Sequence, residues 1–258
     1  MSGIWPIFKK DFVSLFRSWT GVFATSAFLL IAGIFFTFFL LAYSQLSMEA
    51  ARQAYEGIQG LNLTRFVMGA FILNLGVLFL FIAPLLSMRC ITEEKKTGTL
   101  ELLYTYPLSD LEIVLGKYLS LLAQLALLFL PTLTYLGVLR VLGIKVDLGV
   151  VGAGVIGFFL LGATFLALGM FYSSLTENQI ASAGLSFLTL MGLWILEWVA
   201  GFLPRPWSRW LNLASPFFNF RDFPLGVIDL SSLTYFLCAI ALFFFLTLRA
   251  VETRNWRG

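Results

Sequence analysis

A charged segment runs from Thr92 to Glu112 in a sequence that is otherwise mostly hydrocarbon. It opens with two glutamates and two lysines, and Gly98 then interrupts the chain before an apolar face formed by Leu100, Leu103 and Tyr104. These residue types support recognition through ion pairs and apolar contact. Two interpretations stay open, a short amphipathic helix that contacts a partner in water and a solvated loop that joins two helices.

The sequence lacks the residues that catalysis or metal binding usually needs. It contains no histidine, which is the commonest general base and the usual neutral metal ligand, and its two cysteines lie far apart. The pair Gly116-Lys117 does not belong to a phosphate-binding loop, because Leu111 stands where that motif needs glycine and Tyr118 where it needs Ser or Thr. We therefore expect no catalytic residue, no metal site and no bound cofactor in this chain.

Composition indicates an integral membrane protein. Hydrophobic residues make up 59% of the chain and charged residues 12%, against roughly 25% charged in soluble domains. The net charge of +3 is scattered, which argues against nucleic acid as a partner. Six apolar runs are each long enough to cross a membrane as a helix. They fall near 20–44, 66–88, 116–142, 148–172, 179–203 and 230–248.

The sequence therefore predicts an all-α membrane protein with six transmembrane helices in a single domain over residues 1–258. An N-terminal signal peptide is a poor alternative for the first run, which is too long and lacks a cleavage site. Ten of the 17 Lys and Arg residues fall on the side of the N-terminus, including the tightest clusters. Because basic residues prefer short cytoplasmic segments, we expect both termini in the cytoplasm.

Helices are also expected at the ends of the spans. Trp5, Phe8 and Phe12 recur at helical spacing before the first run, which predicts an interfacial helix. This helix serves either as an anchor or as part of a docking surface. Ser109 and Glu112 fit a capping box, so a helix should start near Ser109 and continue into the third span.

The external segment from Leu203 to Asp229 is rich in aromatic residues but is interrupted by four prolines. It cannot form one continuous spanning helix, so short re-entrant helices in the outer interface are expected. Trp207, Phe217 and Phe218 are its candidate gate residues. An aromatic belt and a gate for a lipidic substrate remain equally open.

Three polar residues within the spans are the most costly to place in lipid: Asn74, Gln124 and Glu197. Asn74 and Gln124 suit hydrogen bonds between helices better than contacts with a substrate. Glu197 lies near the outer end of the fifth span, where its carboxylate can reach the interface. All three are kept as candidate pathway residues.

The charged segment resembles the coupling-helix signature of the type-2 ABC exporter permeases, in particular the gliding-motility-type and copper-processing-type branches. The resemblance rests on the run from Glu94 to Leu103, on the residues that follow it and on the order of elements along essentially the whole chain. The residues that follow are Pro107, Ser109, Glu112, Gly116 and Lys117.

This resemblance implies a transmembrane permease subunit that works with two separate ABC ATPase subunits, which bind ATP and Mg²⁺, and with a second permease, identical or different. It also implies a bacterial or archaeal inner membrane, contact with lipid, and room for a periplasmic or membrane accessory protein. The residues expected to couple to the ATPase are Glu93, Glu94, Lys96, Gly98, Thr99, Leu100, Glu101, Leu103 and Tyr104. Tyr104 and Tyr106 depart from the smaller residues of many relatives, which suggests a cognate ATPase.

The alternative from another class is a non-transporting membrane scaffold that recruits a cytoplasmic protein through residues 92–112. A neighbouring gene for an ATPase distinguishes the two. For a permease, export of a substrate and mechanical work on an external partner both stay open.

Overall fold

The computed structural model describes residues 3–52, 64–98, 109–142 and 146–255. Every regular element among them is helical. The α-helices are α1 (Ile4–Arg17), α2 (Trp19–Arg52), α3 (Ala70–Ser87), α4 (Thr92–Thr97), α5 (Asp110–Phe129), α6 (Thr134–Val141), α7 (Leu148–Leu175), α8 (Gln179–Ala200), α9 (Trp207–Ala214), α10 (Pro216–Phe220) and α11 (Leu230–Asn255). A π-helical stretch (Thr64–Gly69) precedes α3, and 3₁₀ turns cover Leu130–Leu133 and Phe223–Leu225.

Six helical segments are long and apolar enough to cross a membrane, which confirms the predicted number. They are span 1 (Trp19–Gln45), span 2 (Phe66–Thr97), span 3 (Asp110–Val141), span 4 (Leu148–Leu175), span 5 (Gln179–Ala200) and span 6 (Leu230–Thr253). Span 3 begins earlier than the apolar run near 116–142, because the capping box starts its helix at Asp110. The backbone satisfies its own hydrogen bonds along each helix, as a lipid environment requires.

Spans 2, 3 and 4 form the core of the bundle. In span 4, 72% of the most apolar window is buried, and in spans 2 and 3 the share is 61%. Spans 1, 5 and 6 bury 22% or less of theirs. These three spans therefore present broad apolar faces that only lipid or another membrane protein can cover.

Aromatic rings fill the centre of this core. Phe158 of span 4 stacks on Phe129 of span 3 at a centroid distance of 4.5 Å and lies 5.7 Å from Phe79 of span 2. Phe28 of span 1 meets Phe79 edge to face at 6.5 Å. Each of these fully buried rings removes a large apolar area from its surroundings and restricts how the spans can pack.

The short helices predicted at both ends of the spans are present. Helix α1 packs against the start of span 3, and α9 and α10 connect spans 5 and 6. Since five spans separate α1 from α9, the two helices lie on opposite sides of the membrane. The side that carries α1 also carries α4, which forms the last part of span 2.

Candidate functional site

The start of span 3 is fixed by the predicted capping box. The hydroxyl of Ser109 accepts a hydrogen bond from the backbone N–H of Glu112 at 3.3 Å, and the Glu112 carboxylate accepts one from the Ser109 N–H at 3.1 Å. This reciprocal pair satisfies two N–H groups that the helix leaves without partners. It also sets the register of the helix, so that Lys117 points into the protein about two turns further along.

Lys117 is a buried ammonium group that contacts three oxygen atoms. Its Nζ lies 3.0 Å from Asp11 Oδ2 and 2.8 Å from Glu94 Oε2, and it donates a hydrogen bond of 2.7 Å to the Cys90 carbonyl. Only 2% of its side chain is exposed. The ammonium donates hydrogen bonds to Asp11 and to the Cys90 carbonyl, and its contact with Glu94 is an ion pair.

Glu94 connects this buried lysine to the surface. Its other carboxylate oxygen, Oε1, accepts a hydrogen bond of 2.8 Å from Lys10, whose side chain is largely exposed. The four side chains Lys10, Asp11, Glu94 and Lys117, which we call the ion cluster, carry two positive and two negative charges. Because the charges cancel within the cluster, their burial is tolerated, whereas removal of one buried member costs about 3–5 kcal/mol.

Gly116 lets α1 approach span 3 closely enough for the ion cluster to form. A Cβ atom at this position would lie 3.1 Å from the carbonyl oxygen of Ile4 and 3.1 Å from Ile7 Cβ. The side chain of Ile7 is buried at this contact. Two adjacent residues thus hold the same helix, Gly116 by leaving space for it and Lys117 by pairing with Asp11.

Helix α4 is held on its other flank by span 4. The hydroxyl of Ser173 accepts hydrogen bonds from the backbone N–H groups of Ile91 at 2.9 Å and Thr92 at 3.1 Å. The Thr92 hydroxyl donates to the Ser173 carbonyl at 3.0 Å, and Lys95 donates to the Ser174 carbonyl. Ser173 and Thr92 are completely buried. The start of α4 is therefore fixed to the end of span 4.

The opposite face of α4 is open to solvent. Glu93, Lys96 and Gly98 are exposed, and the chain turns at Gly98, which has a left-handed backbone with φ of +69°. Glycine adopts that conformation without the steric cost that other residues incur. Of the coupling residues predicted from the sequence, these three lie on the outward face, while Glu94 lies inward in the ion cluster. Thr99, Leu100, Glu101, Leu103 and Tyr104 lie outside the described residues.

Asn74 and Gln124, the two amide side chains predicted as pathway residues, have different environments. Asn74 is half-buried and donates to the Ala70 carbonyl of its own helix at 2.8 Å, so it is locally satisfied. Gln124 is 5% exposed, and neither atom of its amide group has a partner among the described residues. It lines a cavity of about 130 Å³ together with Thr25, Leu86 and Leu128.

The predicted gate residues around α10 lie partly together. Arg221 stacks on the Phe218 ring at 4.0 Å and lies 3.9 Å from the Glu197 carboxylate. Phe217 is buried, whereas Trp207 is 66% exposed at the surface. The structure thus brings Glu197 and Phe218 to one place and leaves Trp207 outside it.

Lys10, Asp11 and Lys117 were not among the predicted site residues. In the sequence, Lys117 belongs to the family signature, to the basic residues of the orientation count and to the Gly116-Lys117 pair that does not fit a phosphate-binding loop. An ionisable residue followed by more than three turns of apolar helix is a signal that a buried partner exists. Its partner Asp11 lies 106 residues away, and the sequence alone does not identify it.

Comparison with known proteins places the chain in a family. The family model described as "ABC-2 family transporter protein" matches residues 5–253, which is nearly the whole chain. The chain belongs to the ABC-2 family of transporter proteins. With its six apolar helices, this membership makes it a multi-pass transmembrane permease of the ABC type.

The chain is also similar to a curated protein of Pseudomonas aeruginosa, "Probable ABC transporter permease protein NosY". The two are 32% identical over 166 residues, which covers 57% of this chain and 59% of the relative. The match thus spans less than two thirds of the relative's length. The family expected from the charged segment is confirmed by both comparisons.

Proposed function

We propose that this ABC-2 permease is the membrane subunit of an exporter in which separate ABC ATPase subunits drive movement of the spans through α4. The observation that carries this proposal is the two-sided environment of α4. One face exposes Glu93, Lys96 and Gly98, and the other is fixed to α1, span 3 and span 4. A partner that contacts the exposed face therefore acts on three elements of the bundle.

The transmission step follows from the contacts of Glu94 and Thr92. Glu94 ties α4 to Lys117 on span 3 and to Lys10 on α1, and Thr92 ties it to Ser173 on span 4. Because Glu94 and Thr92 are buried, displacing α4 alone would separate them from these ion-pair and hydrogen-bond partners. Movement of α4 and the attached spans as a unit avoids that cost.

The proposed complex contains two ATPase subunits, which bind ATP and Mg²⁺, and a second permease, either a copy of this chain or a different one. The exposed apolar faces of spans 1, 5 and 6 offer surface for that second permease and for lipid. The excess of basic residues beside α1, α4 and α11 supports a cytoplasmic location for this side, and hence for both termini, in a bacterial or archaeal inner membrane. ATP-driven closure of the ATPase pair would then change access between the permeases, for export or for mechanical work on an external partner.

Variants on the exposed face of α4 test the proposal. The double variant Glu93→Ala with Lys96→Ala should lower both ATPase assembly and substrate-dependent or permease-dependent ATP hydrolysis in complexes reconstituted with the cognate ATPase. Lys9→Ala removes an exposed positive charge from α1 on the same side and serves as the control. Assembly and hydrolysis equal to wild type in the double variant would contradict the proposal. If the wild-type permease binds the ATPase but does not change its rate of ATP hydrolysis, the scaffold alternative is favoured.

A further inference from the structure

A cavity of about 520 Å³ lies beside α9, on the side of the membrane opposite α4. Its lining includes Arg205, Ser208, Arg209, Asn212, Leu213 and Phe218. Cavities that hold small molecules occupy about 300–1,000 Å³, so this one is large enough for a ligand. It is separate from the ion cluster and from the Gln124 cavity, and the proposed coupling does not use it.

The cavity lies on the polar face of an amphipathic helix. Ser208, Arg209 and Asn212 lie within four residues of one another at helical spacing, which places them on one face of α9, and Arg205 lines the cavity from the turn before the helix. Trp207 and Trp210 fall on the other face and are 66% and 67% exposed. Exposed tryptophans are typical of helices at the membrane interface. With its tryptophans toward lipid, α9 turns the arginines and the cavity toward water.

The positive charge of this cavity comes from two arginines. No ion pair joins Arg205 or Arg209 to a carboxylate within the part of the chain that the structure describes. Arg221, which stacks on Phe218 at the cavity wall, differs because it lies 3.9 Å from Glu197 and 3.8 Å from Asp222. The two lining arginines therefore present a net charge of about +2 to an occupant.

We propose that this cavity binds a phosphate ester through Arg205 and Arg209. The planar guanidinium groups match the oxygens of a phosphate in paired hydrogen bonds, and Asn212 and Ser208 supply further neutral donors. The cavity exceeds the size of a bare phosphate, and Phe218 and Leu213 line it with apolar surface. The ligand is therefore a phosphate carried by a larger group, either the headgroup of a phospholipid or a soluble phosphate ester.

Binding is measured on the full-length protein in a phosphate-free maltoside detergent by isothermal titration calorimetry. One arm uses glycerol 3-phosphate as the soluble ester, and the other uses a short-chain phosphatidylglycerol as the lipid. Binding in the first arm identifies a soluble ester as sufficient, and binding only in the second identifies a phospholipid headgroup. Binding in either arm supports the proposed site only if the variants of Arg205 and Arg209 weaken that binding.

The variants Arg205→Gln and Arg209→Gln should each weaken binding about tenfold, as expected for loss of one charge-assisted contact. Arg140→Gln removes an exposed positive charge from the same side at the end of span 3, outside the cavity, and should bind like wild type. Because Arg205 and Arg209 are exposed, we expect both variants to fold, which an unchanged size-exclusion profile verifies. The proposal is overturned when neither probe binds wild type, or when Arg140→Gln weakens binding as much as the cavity variants do.

Discussion

The two sides of the bundle hold their charged residues in opposite ways. On the α4 side, Lys117 is 2% exposed and contacts the carboxylates of Asp11 and Glu94. On the other side, Arg205 and Arg209 are exposed beside a cavity and have no described carboxylate partner. A balanced, buried cluster fixes elements to one another, whereas unbalanced, exposed charge remains available to a ligand. The difference separates a mechanical role from a recognition role.

The largest expected effect comes from breaking the ion cluster. Lys117→Met leaves the carboxylates of Asp11 and Glu94 next to each other without their shared cation, so the free energy of unfolding should fall by about 3–5 kcal/mol. Chemical unfolding in mixed micelles measures this change. Adding Asp11→Asn and Glu94→Gln to the same variant removes the uncompensated charge and should recover part of the loss.

Arg205→Gln removes one positive charge on the opposite side of the bundle, as Lys117→Met does on the α4 side, and so serves as its matched comparison. Its side chain is exposed, so the free energy of unfolding should stay within about 0.5 kcal/mol of wild type. Equal losses of unfolding free energy in Lys117→Met and Arg205→Gln would contradict the distinction between a buried, structural cluster and exposed arginines with no described carboxylate partner. A loss confined to Lys117→Met sharpens the distinction.

A small effect is also expected at the partly exposed pair of Glu197 and Arg221. The two groups are 3.9 Å apart and partly screened by solvent, so Glu197→Gln should change the free energy of unfolding by at most about 1 kcal/mol. The same unfolding assay applies, with Glu93→Gln on the exposed face of α4 as the control. A loss as large as that of Lys117→Met would mean that Glu197 is a buried structural charge on the second side.

Local signals in the sequence predicted much of the fold. Six apolar runs gave the spans, and Ser109 with Glu112 gave the start of span 3 because capping depends on residues only three apart. Prolines in the segment after span 5 correctly predicted short helices there. The resemblance of residues 94–117 to a known family predicted the membership that the comparisons confirm.

The arrangement of the candidate sites could not be read from local signals. Asp11 and Lys117 meet only because α1 folds back onto span 3, which requires the tertiary packing at Gly116. Phe217 is buried and Trp207 exposed, although both are aromatic residues of one segment. Which of such residues faces inward depends on the neighbouring spans and not on residue type.

Distance measurements between spin labels on α4 and span 3 test the central claim most directly. Labels replace Thr97, which is exposed on α4 and is not one of the predicted coupling residues, and Leu119, which is 42% exposed on span 3, in a complex reconstituted with its ATPase. Cys238, which is exposed, is changed to serine to remove background labelling. With the ion cluster intact, the distance between the labels should be the same with and without ATP, because α4 and span 3 move as a unit. In Lys117→Met the distribution should broaden and shift when ATP binds. A shift in the intact protein as large as that in Lys117→Met would contradict the account.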